Sequence, residues 1–285
     1  MIKIAIASGK GGTGKTLVSV NLAQYMSEST PVALVDLDVE EPNDFLFIKG
    51  QSEKVTEVFK AIPSWDEKNC VLCGKCSTVC NFHAILNIGK SVIVFEELCH
   101  SCYACSELCP NNALPMKNKK RGEIKQFNDN NLTFIEGRLI VGEEQSAPFI
   151  KQVNEYVSKN HNSIPYIIMD CPPGTSCPVI ASVKDADLVI LVTEPTPFGL
   201  NDLKLAVETM LQLQKKVGVI INRYGIGNND VEDYCIDENI PVIAKIPYDK
   251  TIATLYSEGK LIFNVHRNFR ETLEKILSFI NSHKK

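Results

Sequence analysis

The sequence lacks the features that place a protein in or across a membrane. No apolar run approaches the roughly 20 residues that a bilayer span requires, and residues 1–3 lead into a strand-like stretch rather than a signal peptide. The net charge is only −4 over 285 residues, which gives no general reason to expect binding to nucleic acid or membranes. We therefore expect a cytoplasmic protein with no nucleic-acid partner and no membrane contact.

Aromatic residues are scarce as well, at 7% of the chain with a single tryptophan. The hydrophobic fraction of 44% and the charged fraction of 22% are ordinary for a globular protein. A chain of this length has room for one large α/β domain and a small second domain.

Cysteine, in contrast, is abundant, and eight of the eleven cysteines repeat one spacing. The two runs are Cys70, Cys73, Cys76, Cys80 and Cys99, Cys102, Cys105, Cys109. A reducing cytosol and ligand-like spacing favour metal binding over disulfides. Closely spaced thiolates suit a cubane iron–sulfur cluster, since one short loop contributes three corners and the fourth comes from elsewhere. Zinc is the alternative, although zinc ribbons space their thiolates more widely. An iron–sulfur protein of this kind is expected to be oxygen-sensitive.

A phosphate-binding loop precedes the cysteines. Residues 9–16 fit the pattern G-x-x-x-x-G-K-T between a β-branched run and a segment with helical spacing. Backbone N–H groups of such a loop surround the β-phosphate at the helix N-terminus. Lys15 would neutralise the β- and γ-phosphates, and the Thr16 hydroxyl would hold Mg²⁺. The predicted nucleotide-binding residues of the loop are Gly9, Lys10, Gly11, Gly12, Thr13, Gly14, Lys15 and Thr16.

Strand-like and helical stretches alternate over most of the remaining chain. This alternation implies a mainly parallel sheet with helices on both faces, which the cysteine-rich segment interrupts. We predict a P-loop domain formed by residues 1–62 and 119–285, with a small α+β domain inserted at 63–118. The predicted strands are 2–7, 32–36, 132–134, 139–141, 164–170, 187–193, 216–222 and 242–246. The basic residues after the insertion are predicted to form a solvated linker: Lys117, Lys119, Lys120 and Arg121.

Four further residues carry a resemblance to a known family. Lys10 is a second lysine near the start of the loop, Asp36 and Asp38 follow the second strand, and Asp170 begins the sequence Asp-Cys-Pro-Pro-Gly. These features resemble the deviant-Walker P-loop ATPases of the MinD/ParA/Mrp superfamily. The resemblance implies an ATP-dependent homodimer in which Lys10 reaches the partner's nucleotide. Asp36 and Asp170 would act on Mg²⁺ through its waters, and Asp38 would position or activate the attacking water. The implied adenine contacts are Asn222, Arg223, Pro247 and Asp249.

The cysteine segment resembles the bacterial two-cluster ferredoxins, in which the fourth cysteine of each run ligates the other cluster. The resemblance implies a first 4Fe–4S cluster on Cys70, Cys73, Cys76 and Cys109. It implies a second 4Fe–4S cluster on Cys80, Cys99, Cys102 and Cys105. Pro110 matches the proline that usually follows the last ligand, whereas Asn81 departs from this pattern. His83 and His100 are expected to tune or shield the sulfurs rather than to ligate.

Two features of the remaining chain leave alternatives open. Cys171, Cys177 and Cys235 are either core thiols or, for the first two, ligands of a cluster bridging a dimer, as in the nitrogenase iron protein. The helix predicted over 269–280 either docks on the sheet or reaches a membrane as in MinD, and Glu271 and Glu274 favour docking.

Taken together, these features predict an ATPase that gates electron transfer. Two chains would clamp ATP and Mg²⁺, and hydrolysis would move the clusters towards an unidentified redox partner. Two other functions remain open. One is a metallocofactor or iron–sulfur assembly factor, against which the lack of a late C-x-x-C motif counts. The other is a MinD-like positioning ATPase with a redox-sensing module.

Overall fold

A computed structural model describes residues 1–48, 50 and 54–284, and the chain forms two compact units. The first unit comprises Met1–Thr56, Ile124–Arg138 and Ser146–Lys285, and the second comprises Glu57–Glu123 and Leu139–Gln145. The cysteine-rich segment, predicted as an inserted domain at 63–118, falls within the second unit.

The strands and helices follow one another along the chain as follows. The strands are β1 (Ile2–Ala7), β2 (Val32–Asp36), β3 (Lys54–Pro63), β4 (Ile85–Asn87), β5 (Val92–Val94), β6 (Met116–Asp129), β7 (Leu132–Leu139), β8 (Tyr166–Asp170), β9 (Leu188–Thr193), β10 (Lys216–Tyr224) and β11 (Val242–Pro247). The helices are α1 (Lys15–Ser27), α2 (Lys75–Val79), α3 (Ala104–Glu107), α4 (Ser146–Asn160), α5 (Cys177–Val183), α6 (Pro197–Gln212), α7 (Asp230–Asp237), α8 (Lys250–Ser257) and α9 (Arg267–Ser282).

The described residues form a sheet with the strand order β11-β10-β9-β1-β8-β2-β7-β6-β3. Neighbouring strands from β11 to β7 pair in parallel, so the predicted α/β class with a mainly parallel sheet is confirmed. These strands are almost continuously apolar because a parallel sheet is covered on both faces. The register sets Asp36 at the end of β2 directly beside Asp170 at the end of β8. Two carboxylates therefore meet at the carboxyl edge of the sheet, where ligands of α/β proteins bind.

Helix α9 docks on the first unit, as predicted. Its apolar side chains Phe269, Leu273, Ile276 and Ile280 are buried in the same hydrophobic core as residues of β1, β2 and α1. The face that would have to meet a membrane is thus occupied by the protein core. None of the helices in the described part of the chain has the length and hydropathy of a membrane span.

The basic segment after the cysteines is not the solvated linker that we predicted, because it forms the first part of β6. Lys119 pairs with Glu96 at 2.9 Å, and Lys120 pairs with Glu57 at 2.8 Å. Arg121 is buried and pairs with Glu143 at 3.3 Å. Acidic partners elsewhere in the second unit neutralise these cations, which allows a lysine-rich sequence to remain extended in a sheet.

A second correction concerns residues 139–141, which do not form a separate strand. One continuous strand, β7, runs from Leu132 to Leu139, and the chain then turns at residues 141–142. The strand continues past residue 134 because its pairing with β2 extends to Glu136 opposite Asp36, where the buried Glu136 pairs with Arg138 at 2.7 Å.

The second unit has little secondary structure and small apolar clusters. It contains the short helices α2 and α3, and a two-stranded antiparallel sheet of β4 and β5. One cluster combines Ile85, Val92 and Leu114 with Cys105, and another combines Ile62 and Ala84 with Cys99. Cysteines from the predicted ligand sets are therefore part of the apolar clusters of this unit.

Candidate functional site

A cavity of about 500 Å³ opens at the carboxyl edge of the sheet in the first unit. A cavity of this size is in the range of small-molecule sites. Ten predicted site residues line it: Gly11, Gly12, Gly14, Lys15, Thr16, Asp38, Asn222, Arg223, Pro247 and Asp249. Pro173 and Tyr248, which belong to motifs that the sequence indicated, line it as well, whereas the sequence did not indicate Glu41, Asn43 and Tyr256. Gly9, Lys10, Thr13, Asp36 and Asp170 lie behind or beside this lining.

The phosphate-binding loop is held in place by β10. The side-chain amide of Asn222 donates to the Thr13 carbonyl at 2.7 Å, and its oxygen accepts from the Arg223 N–H at 2.8 Å. Gly14 has φ 101° immediately before α1, and a Cβ there would collide with the Asn222 amide. Glycine is thus required at this position by both backbone and space. Asn222 fixes the loop in addition to lining the cavity.

The two aspartates at the strand ends are buried and internally bonded. Asp36 accepts three backbone N–H groups, from Asp38 and Asn43 at 3.0 Å and from Asp44 at 3.1 Å. Asp170 accepts from the Thr16 hydroxyl at 2.7 Å and from the Ser19 hydroxyl at 3.0 Å. Burial and the neighbouring Asp170 raise the pKa of Asp36 well above its usual range. Burial also raises the pKa of Asp170, although Lys15 opposes this shift.

Asp44 is a third buried carboxylate at this edge, and the sequence analysis missed it. Among the described residues, no N–H or hydroxyl donor reaches its oxygens, and its neighbour is the Asp170 carboxyl, with which it can share a proton. Burial, Asp36 and Asp170 raise its pKa well above the usual range. Concentrated negative charge in a buried place is costly unless a cation compensates it. The donor set of Thr16, Asp36 and Asp170 therefore fits Mg²⁺, which prefers oxygen ligands and retains several of its waters.

Asp38 lies at the wall of the cavity, where an attacking water would be positioned. Partial burial raises its pKa to about 6, with a contribution from Asp170 that Lys15 opposes. A carboxylate with such a pKa is a stronger base than an exposed aspartate and is ionised at neutral pH.

Lys10 does not line the cavity, because Glu194 holds it to one side. The Lys10 Nζ lies 3.6 Å from one oxygen of Glu194, and the other oxygen accepts from Arg223 at 2.7 Å. The Glu194 side chain is only 8% exposed. Glu194, which follows β9, thus pairs with both Lys10 and Arg223. The family resemblance had assigned Lys10 to the partner's nucleotide and Arg223 to the adenine. The segment Thr193–Pro197 resembles the corresponding segment of the deviant-Walker ATPases, but this resemblance assigned no role to Glu194.

The eight repeated cysteines surround two separate pockets in the second unit. Cys70, Cys73, Cys76 and Cys109 line the first pocket. Cys80, Cys99, Cys102 and Cys105 line the second pocket. The fourth cysteine of each run therefore joins the other run, and the grouping is that of the two predicted ligand sets.

The cysteines of the two pockets are free thiols, as are the other three. Within the described residues, no three His, Cys, Asp or Glu side chains converge closely enough to hold one metal ion. Backbone N–H groups donate to sulfur at equivalent places: Ala84 to Cys80 at 3.3 Å and Ala113 to Cys109 at 3.2 Å. Burial raises the pKa of Cys105 to about 11, and the neighbouring Cys99 adds to this shift.

The two histidines beside the cysteines lie in different settings. The ring of His100 stacks on Phe82 with centroids 3.9 Å apart, and both residues line the second pocket. His83 adopts a left-handed backbone conformation at φ 52° and lines neither pocket. His100 is therefore in a position to shield the sulfurs of the second pocket, whereas His83 contributes to the turn of its loop.

The three remaining cysteines are separate from these pockets. Cys171 and Cys235 are buried, and Cys177 is exposed at the start of α5. Burial raises the pKa of Cys171 strongly. Cys171 and Cys235 thus have the properties of core thiols.

Comparisons with known proteins agree on the first unit's fold and ligand class. A family model, CbiA, described as the CobQ/CobB/MinD/ParA nucleotide binding domain, matches residues 4–262. The protein MJ0579 of Methanocaldococcus jannaschii is 34% identical over 98% of each chain. The iron–sulfur cluster carrier protein of Aquifex aeolicus is 25% identical over 92% of this chain and 62% of its own length.

Solved structures extend the similarity of fold. The cell division ATPase MinD of Pyrococcus furiosus superposes with a TM-score of 0.60 at 18% identity, covering 98% of this chain and 99% of that chain. MinD of Pyrococcus horikoshii, solved with Mg-ADP, has a TM-score of 0.56 at 20% identity, covering 91% and 86%. At these identities the similarity shows the fold alone.

Proposed function

Because the chain belongs to the CobQ/CobB/MinD/ParA family of nucleotide-binding domains, we propose that it hydrolyses ATP and couples hydrolysis to electron transfer through two 4Fe–4S clusters. One observation carries this proposal: a chain with a P-loop site also groups eight cysteines, four around each of two pockets. Neither the P-loop site nor the cysteine pockets require the other. Because one chain contains both, we infer that ATP hydrolysis controls electron transfer.

In the nucleotide half, the phosphates bind to the backbone of residues 9–16 with Lys15 as their counter-charge. Mg²⁺ is held by the Thr16 hydroxyl and by the phosphates, and Asp36 and Asp170 hold its waters. Asp38 orients the attacking water and accepts its proton. The base lies against Arg223, Pro247 and Asp249. Mg-ADP bound to a MinD of the same fold supports this assignment.

Gating follows from the position of Lys10. In the single chain, Lys10 is bound to Glu194, and it must leave this carboxylate to reach the nucleotide of a second chain. ATP supplies the γ-phosphate that makes this exchange favourable, since a ligand shifts a conformation only through contacts that differ between the states. We therefore propose an ATP-dependent homodimer that closes when Lys10 moves from Glu194 to the partner's phosphates.

In the cysteine half, eight thiolates hold the two clusters, and the N–H groups of Ala84 and Ala113 stabilise their sulfurs. Bound 4Fe–4S clusters accept and release single electrons. The redox partner is a protein that docks when the dimer is closed.

The experiment measures electron delivery with and without hydrolysis. Anaerobic protein is reduced with dithionite and freed of excess reductant. It is then mixed with cytochrome c, a protein-sized one-electron acceptor. The rate of cytochrome c reduction is compared under three conditions: with MgATP, with a non-hydrolysable ATP analogue and without nucleotide. The expected result is that nucleotide changes the rate of cytochrome c reduction in the wild type but not in Lys15→Ala.

The control is the iron content of Lys15→Ala, which should equal that of the wild type because Lys15 is not in the cysteine unit. A variant that cannot hydrolyse ATP and still shows the same nucleotide-dependent rates would defeat the gating proposal while leaving the clusters in place.

Iron–sulfur assembly is a second candidate function, favoured by the similarity to the carrier protein of Aquifex aeolicus. In this case the clusters would be cargo rather than electron carriers. Incubation with an apo-ferredoxin distinguishes the two functions. Transfer of iron and sulfide to the acceptor supports assembly, whereas clusters that remain bound during repeated reduction and oxidation support electron transfer.

A further inference from the structure

Trp65 is the single tryptophan of the chain, and its side chain lines the first cysteine pocket. The backbone on both sides of it is fixed to the far wall of this pocket. The Ser64 N–H donates to the Pro115 carbonyl at 2.8 Å, and the Asp66 N–H donates to the Ala113 carbonyl at 2.9 Å. Two backbone hydrogen bonds thus hold the indole ring beside Cys70 and Cys109.

The indole N–H of Trp65 is buried and has no acceptor among the described residues. A buried tryptophan N–H usually has a partner, because leaving a donor unpaired away from water is costly. Thiols and apolar groups such as Val71 and Leu114 form most of the pocket, and the polar residues that also line it, Lys75, Asn87 and Asn111, do not accept from the indole N–H. A group bound in the pocket would supply the missing acceptor.

We propose that Trp65 donates a hydrogen bond to a sulfur of the cluster held by Cys70, Cys73, Cys76 and Cys109, and so raises this cluster's reduction potential above that of the second cluster. The inference rests on the proposed function, since it requires the clusters. A reduced cluster carries one more negative charge than an oxidised one. A hydrogen-bond donor stabilises the reduced form more and raises the potential.

The second pocket has no equivalent of this donor. Phe82, Met116 and the exposed His100 form its wall, and no buried unpaired donor of the described residues lines it. One further difference acts in the same direction. Cys99 and Cys105 of the second set are buried, whereas every cysteine of the first set is at least partly exposed. A single electron is therefore expected to occupy the first cluster.

The test removes one N–H group from the protein. Because Trp65 is the only tryptophan, expression in a tryptophan auxotroph fed with benzothienylalanine replaces the indole N–H by sulfur at this position alone. The reduction potentials of both clusters are then measured in a redox titration that is monitored by electron paramagnetic resonance. We expect the higher midpoint potential to fall and the lower one to remain unchanged.

Trp65→Phe is the genetic version of this change, and Phe82→Leu is the matched control because it alters the wall of the other pocket. An electron–nuclear double resonance signal from an exchangeable proton on the reduced cluster should be present in wild type and Phe82→Leu. One exchangeable proton should be missing from Trp65→Phe and from the isosteric protein, whereas the signal of the Ala113 N–H, which donates to Cys109, should remain. A purely structural role of the ring would leave the missing proton unexplained.

The outcomes separate the two proposals. Protein without iron defeats the proposed function itself. The role of Trp65 is overturned if the protein holds both clusters and removal of the N–H leaves the higher potential unchanged or raises it. A change that shifts both potentials equally overturns it as well. In each of these cases the proposed clusters remain in place. If Trp65→Phe fails to fold, the isosteric protein still decides between these results.

Discussion

The nucleotide site and the cysteine pockets differ in how their buried polar groups are satisfied. At the nucleotide site, the chain supplies the partners: Asp36 accepts three backbone N–H groups, Asp170 accepts two hydroxyls, and Asn222 bonds the loop. In the cysteine pockets, one N–H reaches sulfur on each side and the Trp65 indole has no partner. Except at the Thr13 hydroxyl and the Asp44 carboxyl, which have no donor or acceptor among the described residues, the chain thus satisfies the buried polar groups of the first site, whereas the Trp65 indole depends on what fills its pocket.

The apolar cores of the two units differ in the same way. The first unit buries a sheet with α1 and α9 in one extensive core. The second unit has small clusters that include Cys99 and Cys105 themselves. A small unit with few apolar residues commonly folds only with a metal or a disulfide. This difference leads to four predictions, from the largest expected effect to the smallest.

Removal of iron is expected to have the largest effect. Anaerobic treatment with a chelator should abolish amide-exchange protection over residues 64–115 because the clusters hold that segment together. Protection over β1, β2 and β8 should remain, and so should MgADP binding, because the first unit has its own core. Hydrogen exchange followed by mass spectrometry measures both regions at once. Equal protection of residues 64–115 with and without iron would contradict this contrast.

Lys15→Ala should lower the rate of ATP hydrolysis by about 100- to 1,000-fold, the usual cost of losing one electrostatic contact to the transition state. The exposed Lys90, in a turn of the second unit, provides the control. Lys90→Ala should hydrolyse ATP at the wild-type rate. Phosphate release under anaerobic conditions measures both variants. A Lys15→Ala rate near that of Lys90→Ala would exclude the P-loop as the site of hydrolysis.

Asn222→Ala should destabilise the first unit by about 1–3 kcal/mol, since it leaves the buried Thr13 carbonyl without its donor. Asn228→Ala is the matched change, because Asn228 is exposed and bonds only to its neighbour Asp230. Denaturant unfolding of the two variants measures the difference. Equal unfolding midpoints would mean that the loop does not depend on β10.

Glu194→Gln should have the smallest effect, on self-association rather than on folding. Partly exposed ion pairs contribute about 0.2–1 kcal/mol, so releasing Lys10 should lower the ATP concentration needed for dimer formation by about 1.4- to fivefold. Glu28→Gln breaks the exposed pair with Arg270 and should leave dimer formation unchanged. Sedimentation velocity over a range of ATP concentrations decides between them. A higher ATP requirement in Glu194→Gln would show that Glu194 supports the closed state instead.

The sequence predicted the elements whose signals are local. Apolar runs identified β1, β2, β8, β9, β10 and β11 to within a few residues, and glycine and lysine spacing identified the phosphate-binding loop. The basic start of β6 was read as a linker because Lys117–Arg121 acquire their acidic partners only through tertiary structure. The sequence did not predict strand β3, because its charged residues obscure the alternation of apolar and polar side chains that is typical of a strand.

Site residues also differ in whether their signal is local in the sequence or arises only in the folded chain. Motif residues such as Lys15 were recognised because their role follows from spacing along the chain. Glu194, Asp44 and the bond from Asn222 to Thr13 depend on distant segments meeting in space, and no short pattern records this. Trp65 belongs with them, since only the fold shows that its N–H is buried without a partner.

The most direct test of the central claim is the iron and acid-labile sulfide content of anaerobically purified protein. The account predicts about eight of each per chain, as two 4Fe–4S clusters require, together with the resonance signals of two reducible clusters. Protein that contains zinc, or no metal, and binds ATP normally would contradict it.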